Sequence, residues 1–492
     1  MARRIARAVS MPPWARFGSS PKLILTVVFT AMALFAEGAI AGGYALSGVG
    51  SRAIGMGGAF RGLADDWSAA YWNPAGLTQL EESEFNAMLV AISPRIQYTP
   101  QITYGGLEVG YRNGLTRYPN DKTIFIPDVS GFLKFEGFEE YTVGFAIFAP
   151  VGLASEWDLF NPTPAMDIRN PYPWYDHKAL LSVIDFHPTI ARSFMDGKLS
   201  LGAGMSIQRG SVTFKKTFLK PSGIPIPHEY LLIDTELEGD GWGYGANFGL
   251  LYKLSDKLQF GISGKTGSTL KLEGTATQEL YTFDNEDLKN SLLSRATTEA
   301  ERQQILFLFT TENHLATLDG KADIKTPADI GFGLAVKPTE KLTLTGEVVY
   351  TQWSSLDSIL IEMEGLDPSG QPAEDTPLIL NWDNTVRFSA GGEYRLADPL
   401  ALMFGYYLDP SPIPDGTFSP LIPDLGDKNS FNIGAALSFS DFELSYNFEY
   451  ISFADRDITT PDDVNGDGVF DNYPGLFESS LYASHVSLTY RF

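Results

Sequence analysis

DFELSYNFEY, residues Asp441 to Tyr450, decides the fold. Phe442, Leu444, Tyr446, Phe448 and Tyr450 alternate with Asp441, Glu443, Ser445, Asn447 and Glu449. In an extended chain successive side chains point to opposite faces, so this segment has one apolar and one polar face. The C-terminus repeats the pattern: Tyr482, Val486, Leu488, Tyr490 and Phe492 share one face, with His485, Ser487, Thr489 and Arg491 on the other. Phe431 to Phe439 repeats it again.

Similar segments lie near 399–409, 384–397, 341–362, 321–337, 257–279, 240–254, 198–217, 179–195, 139–149, 123–136 and 83–98. With the first three they make about fourteen strands, an even number, as single-chain outer-membrane barrels have. Short turns such as Met195-Asp196-Gly197, Ser255-Asp256, Pro338-Thr339-Glu340 and Ala397-Asp398 join alternate pairs, and the remaining connections are long. After Phe35 no stretch is long and apolar enough for a membrane helix, so a membrane-spanning chain of this sequence crosses with strands. The expected fold is all-β: a transmembrane antiparallel β-barrel of about 14 strands.

Composition agrees. The chain has 492 residues, 44% of them hydrophobic, with a mean hydropathy of −0.06. That looks soluble, but a barrel looks the same because only alternate residues face lipid. Cysteine is absent, which excludes disulfides, thiolate chemistry and cysteine metal sites. Arg3, Arg4, Arg7, Arg16 and Lys22 precede an apolar run, Leu23 to Phe35, and then Ala39-Ile40-Ala41, the form of a cleavable signal peptide. A run of thirteen residues is short for a spanning helix, which needs about 20. Removing 1–41 takes 5 of 36 basic and 1 of 60 acidic residues, leaving a net charge of −28. So acidic a chain does not grip nucleic acid through its phosphates.

Between leader and strands lies GGYALSGVGSRAIGMGGAFRGLADDWSAAYWNPAGL, Gly42 to Leu77, compact and rich in Gly and Ala, with Trp67, Tyr71 and Trp72 clustered ahead of a turn-forming Asn73-Pro74-Ala75-Gly76. A small-residue segment ahead of many strands suggests a plug inside the lumen. The expected organisation is a signal peptide at 1–41, an N-terminal hatch at 42–80 and a barrel with long extracellular loops at 81–492.

Gly55 to Leu77, GMGGAFRGLADDWSAAYWNPAGL, resembles the hatch of the long-chain fatty acid outer-membrane transporter family, which also includes aromatic-hydrocarbon uptake channels. Phe404 to Leu437, FGYYLDPSPIPDGTFSPLIPDLGDKNSFNIGAAL, is similar to a late strand, loop and strand of that family, with Ile422-Pro423-Asp424 at its LPD position. Tyr490-Arg491-Phe492 is similar to the C-terminal aromatic signal of outer-membrane proteins, read by the barrel assembly machinery. The resemblance implies a fourteen-stranded barrel stoppered by its N-terminal segment. It implies passive uptake of hydrophobic compounds, fatty acids by default and aromatic hydrocarbons as the alternative, without an energy-coupling box. Cargo is expected to meet an apolar groove in the outer loops, then a pocket in the barrel, and to leave sideways at a kink in the third strand. Asn73, Pro74 and Ala75 match the hatch motif beside that kink, and Gly144 is the residue of the third strand, Tyr141 to Ala149, most able to bend.

The candidate site residues follow. Trp67, Tyr71 and Trp72 either line the pocket or pack the hatch against the wall. A carboxylate cargo needs a cation, and Arg387 and Lys265 fall on the inward parity of their strands; pairing of each with a neighbouring Asp or Glu is equally open. Residues 284–313 have helical character, with a capping box at Thr298 and Glu301. They end in Ile305, Leu306, Phe307, Leu308 and Phe309, which with Leu231 and Leu232 form either an outer-loop groove or a helix packed on its own loop. Asp463, Asn465, Asp467 and Asp471 around Gly468 have the spacing of a Ca2+ loop, but Pro474 stands where a bidentate Glu belongs, so an acidic turn is the competing reading. No other cofactor is expected. Asp185 and His187 lack a recognisable serine partner in sequence, and no catalytic residues are assigned. The expected partners are a hydrophobic ligand, outer-membrane lipid and lipopolysaccharide, and the chain is expected to be a monomer. A polar-solute porin, a barrel enzyme and an adhesin are the rival classes.

Overall fold

The computed structural model describes residues 46–102, 110–120, 122–162, 164–169, 172–224, 227–422, 426–466 and 470–492. The expected leader, residues 42–45 of the expected hatch, and Asp467 lie outside the described residues.

The ladder segments in chain order are β1 (Glu84–Pro100), β2 (Ile124–Lys134), β3 (Tyr141–Trp157), β4 (His177–Phe194), β5 (Leu199–Pro221), β6 (Tyr230–Ser255), β7 (Leu258–Lys265), β8 (Ser268–Leu280), β9 (His314–Thr326) and β10 (Asp329–Thr339). They continue with β11 (Leu342–Thr351), β12 (Ser358–Glu364), β13 (Thr376–Ile379), β14 (Thr385–Ala397), β15 (Leu400–Asp409), β16 (Lys428–Phe439), β17 (Phe442–Phe453), β18 (Arg456–Ile458) and β19 (Gly475–Arg491). Consecutive pieces β7–β8, β9–β10, β11–β12, β13–β14 and β17–β18 each serve as one stave, so the wall has 14 antiparallel strands. It closes where β1 pairs with β19 from Glu84↔Arg491 to Pro100↔Gly475. Closure satisfies the backbone of both would-be edges, which a strand structure in lipid requires.

Burial runs opposite to that of a water-soluble sandwich. Phe431, Ile433, Leu444, Tyr446, Phe448 and Val486 are exposed, while Asn432, Ser445, Asn447, Glu449 and His485 are buried. Ile433 is 67% exposed and Asn447 0%. The alternation that a soluble sheet turns inward, this chain turns outward, as a wall facing hydrocarbon must.

Short turns at 195–198, 256–257, 340–341, 398–399 and 440–441 lie at one end. Met195, Asp196 and Gly197 take the left-handed conformation, with φ of 56°, 54° and 79°, that a tight hairpin turn needs. At the other end the chain makes long excursions. β5 and β6 run 23 and 26 residues, where about 9–11 cross a bilayer, so this hairpin continues well past the membrane. The expected limits near 217 and 240 fall short because beyond the lipid both faces can be polar and the period-two signal fades. The 281–313 excursion carries two helices, α3 (Glu286–Arg295) and α4 (Glu299–Leu308), the second opened by the Thr298/Glu301 capping box.

Residues 46–80 form two short helical turns, α1 (Ser51–Gly55) and α2 (Ala69–Trp72), and a 3-10 turn, Pro74–Gln79. They touch staves on every side of the ring. Ser51 Oγ bonds Ser445 of β17 at 2.8 Å and Ser487 of β19 at 2.7 Å. Arg61 reaches β7, β10 and β11, Thr78 reaches Ser200 of β5, and the Leu46 amide donates to Pro150 of β3 at 3.1 Å. Phe60, Leu63, Trp67, Trp72 and Leu77 are buried among them.

Candidate functional site

Two ion clusters fix the N-terminal segment. Arg52 pairs with Asp65 and with Glu393 of β14, each at 2.5 Å. Arg61 pairs with Glu347 at 2.6 Å and Asp329 at 2.7 Å, and donates to Ser263 at 2.9 Å. Asn73 caps the 3-10 turn by accepting from the Ala75 amide, while its amide nitrogen donates to the carbonyls of Arg61 (2.8 Å) and Leu250 (3.1 Å). The wall makes room with glycine: a Cβ on Gly249 would lie 2.0 Å from Asn73 Oδ1, and one on Gly202 2.3 Å from the Pro74 carbonyl carbon. The Asn73-Pro74-Ala75 turn is therefore seated on β5, β6 and β7.

Above this seat is a cavity of about 160 Å³. Tyr71, Trp72, Phe148, Trp353 and Tyr407 supply its apolar lining, with Lys265, Arg387 and Lys428 among them. Tyr71 stands edge-on to Trp72 at 5.1 Å and to Phe148 at 5.5 Å. Trp72 also donates its indole N–H to the Val49 carbonyl, so it both packs and lines. Trp67 is buried within the segment and is absent from the lining.

Lys265 Nζ lies 3.1 Å from the centroid of the Tyr71 ring, and the Arg387 guanidinium 3.8 Å from that of Tyr407. Among the described residues neither has a carboxylate within 4.0 Å, unlike Arg52 and Arg61; Arg387 donates to the Gly57 carbonyl at 3.4 Å, and its Nε lacks a hydrogen-bond partner. Lys428, 1% exposed and 3.7 Å from Asp409, is a third cation that the sequence pattern missed, because its strand was read from Phe431 onward. Counting inward parity back three residues would have found it.

The wall is broken on one side. β2 pairs with β3 only from Lys134↔Thr142 to Val129↔Ile147, although β2 continues along β1 to Ile124↔Ile92 and β3 along β4 to Trp157↔His177. Between Phe148 and Val151 the register of β3 on β4 shifts, and the buried positions of β3 change from even to odd numbers. This is a β-bulge. Pro150, which has no N–H to give, sits within it. Gly144 stands in unbroken register opposite Phe132 and Thr189, and a Cβ there would meet the Phe132 ring at 2.2 Å. Gly144 thus admits a neighbouring ring, and the irregularity belongs to Ala149-Pro150. On the outer side the Asn120 amide donates to Glu156 O at 2.9 Å, so the break is a bounded window. A second, smaller pocket lies behind it, lined by Ile126, Asp128 and Ala149. Leu46 and Ser47 line both pockets and form the partition between them.

In the outer loops, Leu308 and Phe309 are buried with Phe283, and Leu231, Ile305 and Phe307 pack against that cluster. Leu306 is exposed and Leu232 is buried in the main core. The Asp463 and Asp471 carboxylates accept from the amides of Gly466 and Val464, each at 2.8 Å. Among the described residues no group of three or more His, Cys, Asp or Glu is arranged to hold a metal ion.

The fold brings Ser206, His187 and Asp185 together beside the cavity. The wiring is not that of a nucleophilic triad. Ser206 donates to Asp185 at 2.7 Å, and His187 turns the same nitrogen, Nδ1, toward both Ser206 (3.3 Å) and Asp185 (3.5 Å), its Nε2 meeting Asn247. A relay needs serine and aspartate on opposite ring nitrogens.

A closed, lipid-facing barrel with an apolar-lined cavity and a side window defines a membrane channel of the outer-membrane type. The chain belongs to the outer membrane protein transport protein (OMPP1/FadL/TodX) family, whose model matches residues 32–492. It is 23% identical over 434 residues to the long-chain fatty acid transport protein of Escherichia coli O6:H1, covering 84% of this chain and 86% of the relative. Its fold matches the crystal structure of a Pseudomonas aeruginosa FadL homologue with a TM-score of 0.73 at 19% identity (92% of this chain, 100% of the other). It also matches the P. putida toluene transporter TodX, with a TM-score of 0.66 at 17% identity (91% and 99%). The family consists of outer-membrane transport channels for hydrophobic compounds.

Proposed function

We propose that this chain takes up long-chain fatty acids passively, through the cavity and out of the side window into the membrane. The observation that carries the reading is the window itself, a local loss of β2–β3 pairing placed directly beside a lumenal pocket. Hydrocarbon that leaves sideways stays in apolar surroundings, so the cost of rehydrating each CH₂, about 0.8 kcal/mol, is avoided. A water-filled pore offers no such saving.

In this reading residues 42–80 are a hatch, 1–41 are removed on export, and 81–492 are the barrel. Lys265 and Arg387 hold the carboxylate, with Tyr71 and Trp72 against the chain. Displacing Leu46-Ser47 joins the two pockets. The exposed outer face contacts outer-membrane lipid and lipopolysaccharide, and a closed ring needs no second copy. The test is uptake of a labelled fatty acid by a deletion strain carrying wild type or Ala149→Trp. Loss of uptake with the barrel folded supports the lateral route; full uptake through the filled window refutes it.

A further inference from the structure

Glu449 of β17 and His485 of β19 face into the barrel, 0% and 2% exposed. Three donors converge on Glu449. Ser430 at 2.8 Å and Tyr407 at 3.1 Å reach Oε1, and His485 Nε2 lies 3.2 Å from Oε2. His485 also lines the small pocket behind the window, and among the described residues its other ring nitrogen, Nδ1, is buried without a hydrogen-bond partner. A buried polar atom left in this way is costly and needs a partner from elsewhere. The rest of the lining offers a polar head group little. Val90, Ile92, Ile126, Ala149, Leu481 and Ala483 are apolar, and no lysine or arginine is among its described residues. Asp128 accepts from the Ala149 amide at 3.3 Å and, 2% exposed with no cation beside it, is held mainly as the neutral acid.

Across the Leu46-Ser47 partition the acids of the central cavity are already engaged. Asp329 pairs with Arg61 at 2.7 Å, Asp409 with Lys428 at 3.7 Å, and Asp185 takes the Ser206 hydroxyl at 2.7 Å. A connected row of side chains leads from there to the exit pocket. Arg387 lies 3.8 Å from the centroid of the Tyr407 ring, the Tyr407 hydroxyl bonds Glu449, and Glu449 bonds His485. The row passes Ser47 of the partition, whose hydroxyl is 3.5 Å from that of Tyr407.

We propose that His485 Nδ1, with its ring held by Glu449, is a second head-group site that receives the carboxyl of the cargo when it leaves Lys265 and Arg387. This rests on the lateral-exit reading and deepens it. A carboxyl drawn into the apolar lining loses both its water and its cations. At Nδ1 it meets a group that shares one proton with it, as imidazolium with carboxylate or imidazole with acid, and Glu449 takes the Nε2–H in both. The pocket of about 10 Å³ admits one oxygen-sized group, and displacing Leu46 and Ser47, which line both pockets, makes room for the rest. An alkane passes without using the site.

The test compares uptake of a labelled fatty acid and of the alkane of equal chain length in deletion cells carrying the full chain. His485→Gln keeps an N–H for Glu449 and removes the Nδ1 side of the ring. It is expected to lower the acid-to-alkane uptake ratio about tenfold, as loss of one hydrogen bond to a charged group implies, with alkane uptake unchanged. The chain has five histidines, so the imidazole nitrogen spectrum of the barrel in micelles is sparse, and His485→Gln or His485→Asn assigns the signal that is lost. Fatty acid added to wild type should shift the His485 Nδ1 signal, and the alkane should not. A role confined to holding Glu449 would slow both cargoes alike and leave that signal in place; either result overturns the site. If Ala149→Trp blocks uptake while His485→Gln leaves the ratio unmoved, the exit stands and the site alone is refuted. If Ala149→Trp spares both cargoes, the exit itself is wrong and the site falls with it.

Discussion

Arg61→Met tests whether the N-terminal segment is held by its ions. Arg61 is 4% exposed and faces Glu347, whose side chain is 1% exposed, and Asp329, at 17%. The pair geometry is good: Glu347 receives both the Arg61 amide at 2.7 Å and Nη1 at 2.6 Å, and Asp329 receives Nη2. Removing one partner of a buried pair leaves an uncompensated charge and costs about 3–5 kcal/mol. At 1.4 kcal/mol per decade, that raises the undocked fraction of the segment by roughly two to three and a half orders of magnitude. Single-channel recording in planar bilayers reads this as frequent openings of a channel that wild type keeps closed, and limited proteolysis reads it as cleavage within 46–80. Adding Glu347→Leu and Asp329→Asn should recover much of the closure, because replacing all the charged partners removes the stranded carboxylates. Wild-type opening frequency and protease resistance in a folded Arg61→Met barrel would refute the reasoning, since the segment would then be held by packing alone.

Asn73→Ala loses three hydrogen bonds to the segment and to β6, so uptake should slow while ligand binding measured in detergent changes by less than about threefold, each neutral bond contributing about 1 kcal/mol. Lys265→Gln and Arg387→Gln should each weaken fatty-acid binding by about tenfold or more, as charge-assisted bonds of about 1.5–3 kcal/mol imply, and leave hydrocarbon binding unaffected; calorimetry with the two ligands checks this. Deleting 300–312 should slow initial capture at low cargo concentration and leave the saturated rate alone, which a concentration series of uptake rates would show. Thr298→Ala removes half of the α4 capping box and should cost that helix about 1 kcal/mol, seen as faster proteolysis of the 281–313 loop.

The barrel was legible because lipid enforces period two. Each of the fourteen expected segments corresponds to one stave, down to the last strand at 482–492, and the capping box at Thr298 marks a real helix start. Limits were legible only where lipid ends, which is why β5 and β6 outrun their expected ends. The bulge in β3 hid itself: by reversing parity at Ala149-Pro150 it made one strand of 17 residues look like a shorter strand and a loop. Glycine then drew attention to position 144, where its role is close approach. The cations were found by parity where the strand was read in full, as for Lys265 and Arg387, and lost where it was not, as for Lys428. Asp128 gave no signal. A polar residue on an inward face is ordinary in a barrel, and only the missing β2–β3 pairs show that this one stands at a gap. Ser206 near His187 and Asp185 was equally invisible, since β4 and β5 bring it there across twenty residues of hairpin.

How a membrane wall can carry a hole follows from the same accounting of backbone groups. Each N–H or C=O left unpaired in hydrocarbon costs several kcal/mol, so an opening survives only if few such groups are stranded. Both lips of this one limit the number. Pro127 on β2 and Pro150 on β3 have no N–H to strand. The Pro150 carbonyl is taken by the Leu46 amide, and the Ala149 amide is taken by Asp128. Three of these devices come from the wall and one from the N-terminal segment, so the segment that separates the two pockets also satisfies the lip of the exit. Moving Leu46 aside to let cargo pass therefore strands the Pro150 carbonyl unless the cargo, or a water that follows it, takes the place of the amide. An O–H donor on the cargo can do so directly. Long-chain alcohols should thus cross faster than alkanes of equal length, and the difference should vanish when the partition is removed by deleting residues 42–47.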